Sequence, residues 1–126
     1  MNARDFIHHV RDACGVDDST AEHTMRSVLA ALSDRLTSDE AHKLSAQLPE
    51  PLKSIVHRQK SNRVQKMDRE IFVSRICNDL GIDVPEAVKR IRAVYAVLES
   101  AVSPGETRHV MAQLPEGLRE VMKPPA

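Results

Sequence analysis

Apolar residues recur along the chain at helical spacing, three and four apart, rather than in alternation. From about Ala3 to Ala13, Phe6, Ile7 and Val10 fall on one stripe that Cys14 continues. Gly15 follows, where a helix commonly ends in a left-handed residue. A longer helix carries Ala21, Met25, Val28, Leu29 and Leu32. Ser19-Thr20-Ala21-Glu22 is expected to open it as a capping box, serine and glutamate satisfying each other's free backbone N–H groups. Thr37-Ser38-Asp39-Glu40 opens a short third helix with Ala41, Leu44 and Leu48. Pro49 then breaks that helix and suits the first turn of a fourth.

The pattern occurs twice. Residues 4–57 align without a gap on 70–123 at a constant offset of 66, and Ala46-Gln47-Leu48-Pro49-Glu50 reappears unchanged as Ala112 through Glu116. In the second copy Asp68 caps a helix whose stripe is Ile71, Phe72, Ile76 and Leu80, stopped by Gly81. Asp83-Val84-Pro85-Glu86 opens the long helix bearing Ala87, Ile91, Val94, Tyr95 and Leu98. Ser103-Pro104-Gly105-Glu106 opens the third helix, with Val110, Met111 and Leu114. The repeated phrase is therefore a helix–helix corner. Its leucines enter the core, its prolines break one helix and start another, and Glu50 and Glu116 favour the new helix's positive end. Only Gln47 and Gln113 lack a structural reason, which makes them interaction candidates.

The expected fold is all-α, with about eight helices in two tandem four-helix repeats, 1–57 and 68–123, joined by a basic connector, 58–67. Each half is too small to bury a sufficient core alone. The halves are thus expected to form one domain with a shared core and approximate two-fold pseudo-symmetry, a covalent analogue of an isologous dimer.

Composition narrows the function. Acidic and basic residues balance at 18 each, so a dedicated nucleic-acid binder, which carries basic excess, is disfavoured. Two Phe, one Tyr and no Trp leave little for base stacking. No apolar run is long enough to span a bilayer, and the N-terminus lacks the pattern of a secretory signal, so a cytoplasmic protein is expected. Cys14 and Cys77 form neither a CxxC pair nor a zinc framework and suit reduced, partly buried thiols. Four glycines and the lack of nucleotide or hydrolase motifs give no sign of a cofactor.

Three constellations remain. Asp5, His9 and Asp12 share one face of the first helix, a set that can bind a metal or do acid–base work, or equally form a solvated surface. The second copy replaces them with Ile71, Arg75 and Asn78. His42-Lys43 aligns with Arg108-His109, giving each copy a small basic patch. Arg58, Lys60, Arg63 and Lys66 make the connector locally basic, suited to phosphates or acidic surfaces but without base readout.

Phe6, Gly15-Val16-Asp17, Glu40 and Ala46 through Glu50, with Phe72, Gly81-Ile82-Asp83, Glu106 and Ala112 through Glu116, resemble the bacterial domain-of-unknown-function family numbered 2267. The resemblance covers nearly the whole chain. It implies a duplicated helical protein and, because that family has no established reaction, lends no catalytic residue. The reading preferred is a non-enzymatic helical protein-interaction module, monomer or homodimer, with an unknown protein partner. A regulatory or nucleic-acid-associated protein acting through the connector, and an enzyme at Asp5, His9 and Asp12, are the alternatives.

Overall fold

The computed structural model describes residues 1–57 and 64–124. Eight helices and no strand occur among them: α1 (Ala3–Cys14), α2 (Asp18–Arg35), α3 (Ser38–Ala46), α4 (Leu52–Val56), α5 (Arg69–Leu80), α6 (Val84–Ala101), α7 (Pro104–Ala112) and α8 (Glu116–Met122). The all-α expectation holds. The bounds of α5, α6 and α7 repeat those of α1, α2 and α3 at the sequence offset of 66.

Local chemistry sets these bounds. Asn2 and Asp68 accept the backbone N–H of Asp5 and Ile71 at 2.8 and 2.9 Å, capping α1 and α5. Gly15 and Gly81 end the same helices at φ 67° and 66°. The cap of α2 differs from the expected Ser19. Asp17 takes that position in extended conformation and accepts from Thr20 N–H at 2.8 Å, as its repeat equivalent Asp83 accepts from Glu86 N–H at 3.0 Å. Ser19 lies already one residue inside the helix.

The stripes bury as expected, with one correction. Ile71 is 54% exposed, and α5 buries Phe72, Val73 and Ile76 instead. Ile71 occupies the repeat position of exposed Asp5, so its apolar side chain stands on a solvent-facing line. The fourth helices also diverge between copies. Pro115 caps α8 directly, whereas α4 starts only at Leu52, with Glu50 accepting from Ser54 N–H and Oγ–H at 3.1 and 2.6 Å.

Packing interlocks the halves. α1 lies on α2 and on α6, α5 lies on α6 and on α2, the long helices α2 and α6 touch, and α3 meets α7. Phe6, Val10, Met25, Leu29, Leu44, Phe72, Ile76, Ile91 and Leu98 join one core drawn from both copies. Each such side chain, fully buried, stabilises by roughly 1.5–3 kcal/mol. Met67 of the connector also enters this core, and Gln65 N–H donates to the Asp34 carbonyl at 2.9 Å. Buried Asp34 pairs with Arg75 at 2.9 Å, fastening α2 to α5.

Candidate functional site

The meeting of α3 and α7 brings the repeated glutamines to a task. Gln113 Oε1 accepts from Thr37 N–H at 3.0 Å, and its Nε2 donates to Thr37 Oγ1 at 3.1 Å. Reciprocally, Gln47 Oε1 accepts from Ser103 N–H at 2.8 Å while Nε2 donates to Ser103 Oγ at 3.2 Å. Each glutamine therefore caps the third helix of the opposite half. Thr37 and Ser103 keep their local caps, accepting from Glu40 and Glu106 N–H at 3.2 and 3.3 Å.

This exchange redirects the two glutamates. In a capping box the third-position glutamate reaches back to the N-cap N–H. Here the glutamine of the other half takes that N–H, and Glu40 and Glu106 turn inward. Both are 6% exposed, and their carboxyl groups hydrogen-bond to each other. Burial, the hydrogen bond that its protonated carboxyl donates to Glu40 and the Glu40 charge push Glu106 up to about 7, against the opposing pull of Lys43. Oε2 of each is buried without a hydrogen-bond partner among the described residues. Each such orphan acceptor costs about 1–3 kcal/mol.

His109, three residues after Glu106 and exposed, brings a ring nitrogen to the pair. One ligand-type atom from each of Glu40, Glu106 and His109 lies within 4.8 Å of the others, a grouping drawn from both halves. Two buried carboxyl groups of this kind can share a proton or, with that proton displaced, face a cation. Sequence reasoning missed the site because both glutamates already had a local explanation as box residues. The available signal was that the same glutamate recurs in both boxes, beside a glutamine that had none.

The sequence-derived candidates lie elsewhere. Asp5, His9 and Asp12 are all exposed on α1, and Asp12 accepts from Arg11 Nε at 2.9 Å. Lys66 is exposed, while Arg58, Lys60 and Arg63 fall outside the described residues. His42 turns to His57, ring centroids 4.7 Å apart. Cys14 is a free, buried thiol raised by desolvation first of all, and Cys77 is free and half-buried.

A second feature is an open trough of about 600 Å³ between α1 and α2, lined among others by Arg4, Ile7, His8, Glu22, His23 and Arg26. Its acids are already neutralised: Glu22 pairs with Arg26 at 3.1 Å, and Asp18 with Arg11 at 2.9 Å. The side chains of Arg4 and His23 make no ion pair or hydrogen bond among the described residues.

No helix among the described residues is long and apolar enough to cross a membrane. The family model described as uncharacterized conserved protein (DUF2267) matches residues 3–121. No curated protein matches the chain.

Proposed function

Because the chain belongs to the DUF2267 family of uncharacterized conserved proteins, which brings no reaction with it, we propose from the surface alone that it is a non-enzymatic helical interaction module. The trough between α1 and α2 is its docking surface, and the occupant is an acidic segment of a protein partner. One observation carries this: the trough's own carboxylates are paired within the chain, which leaves Arg4 uncompensated beside His8 and His23. Ile7, partly buried, supplies an apolar floor between the charged rims. Complementary charge of this kind steers association and fixes register more than it adds affinity.

The same reading takes the halves 1–57 and 68–123 as related by an approximate two-fold axis. It is supported by two contacts between residues at equivalent positions of the repeat, Glu40 with Glu106 and Thr24 with Arg90.

A photo-crosslinker placed at position 23 tests the docking surface, with one at exposed Arg119 on α8 as the comparison. The expected result is one protein captured at position 23, absent at position 119, and lost when Arg4→Glu is added. Equal capture at both positions, or capture indifferent to Arg4→Glu, overturns the reading.

A further inference from the structure

We propose that Glu40, Glu106 and His109 bind a divalent transition-metal ion that clamps α3 to α7 and so ties the two halves of the chain together. The site does not depend on where a partner docks. Two independent observations support it. The three side chains converge from both halves, with ligand-type atoms within 4.8 Å of one another. Each buried carboxylate also brings Oε2, an acceptor with no donor among the described residues, and such an atom is costly to bury without a ligand.

The donor set indicates the class of ion. Two carboxylate oxygens and an imidazole nitrogen suit zinc or manganese, whereas magnesium and calcium favour all-oxygen sets. Bonds of about 2.0–2.2 Å to oxygen and nitrogen require the ligands to draw in slightly, and exposed His109 has room to rotate. The Glu-x-x-His spacing of Glu106 and His109 is one by which helical carboxylate proteins present two ligands on one face. The first copy has Lys43 where the second has His109. Lys43 is exposed and, although its charge acts on Glu106, forms no ion pair with either glutamate among the described residues.

Zinc titration by calorimetry, with thermal unfolding beside it, tests the assignment on the full chain. The expected result is one Zn²⁺ per chain and a raised Tm. His109→Ala, at an exposed position that leaves folding intact, weakens binding by at least roughly tenfold, and Glu106→Gln abolishes it. His57→Ala, which breaks the His42–His57 contact outside the site, leaves binding unchanged. No zinc bound by the native chain, undiminished binding in His109→Ala, or loss only in His57→Ala each overturns the proposal.

Discussion

Arg90 donates from a guanidinium NH group to the hydroxyl of Thr24 at 3.2 Å, although the two residues hold the same place in successive repeats. Both are buried, and Arg90 also pairs with Glu86 at 2.9 Å on its own helix. Two copies of one motif, once packed face to face, need not keep identical residues where they meet. Here one copy supplies a small acceptor and the other a long donor. The pair differs from Glu40 and Glu106, which also meet their own repeat equivalent yet stay identical, and from Gln47 and Gln113, which each cap the equivalent third helix of the other half.

That division predicts the cost of losing a glutamine. Gln113→Ala removes an acceptor for Thr37 N–H and a donor to Thr37 Oγ1. It should destabilise the protein by about 1 kcal/mol, the usual cost of a lost helix cap. Gln47→Ala should cost a similar amount through Ser103. Urea midpoints measure both. An effect in neither variant would mean that water replaces these bonds without loss.

Much of the fold was legible in the sequence because its causes are local. Asp68, Asp83, Thr37 and Ser103 act within one helical turn, and the glycines after α1 and α5 act on their own backbone. Asp17 was misread, with Ser19 taken as the cap, although its equivalent Asp83 was already read as part of a helix start. What periodicity left open was which of two adjacent stripes faces inward, and Ile71 is the instance. The Glu40–Glu106 pair was not legible at all. It exists because a glutamine from the opposite half displaces each glutamate from its cap, a contact that no spacing within one copy encodes.

Ile71 and Leu29 test this distinction. Leu29 is fully buried in the core, so Leu29→Ala should cost about 2–5 kcal/mol in transfer and cavity terms. Ile71 is 54% exposed, and Ile71→Ala should change stability by no more than about 0.5 kcal/mol. Thermal or chemical unfolding of the two variants side by side decides it. A large loss at Ile71 would show that α5 is rotated from its described orientation.

The glycine ending α5 isolates a backbone effect. A Cβ added to Gly81 would meet nothing within 4 Å, yet φ there is +66°. Gly81→Ala should then cost about 1 kcal/mol through left-handed strain alone. Gly105→Ala, inside α7 without such a φ, gives the reference. There the change should be neutral or slightly stabilising, because alanine restricts the unfolded chain more.

The carboxyl pair makes stability depend on pH in a direction opposite to that of ordinary surface acids. Glu106 is raised from 4.5 to about 7, first by burial and then by Glu40, with Lys43 opposing. Between those values the folded chain holds a proton at Glu106 that the unfolded chain has released. Unfolding is linked to proton loss in that window, so stability falls as pH rises. The contribution is fully present below about 4.5 and is gone above about 7. Asp17 and Glu50 are shifted the other way by their hydrogen bonds to Thr20 and Ser54, and they act below this window. The informative quantity is a difference between two proteins that differ only at the pair. Glu106→Gln keeps a donor toward Glu40 without a titrating proton. With chelator present, the stability of the native chain relative to Glu106→Gln should decline from pH 5 to about pH 7 and level off above it, as urea midpoints at several pH values would show. A difference that stays constant across that range would mean that the two carboxyl groups do not share a proton.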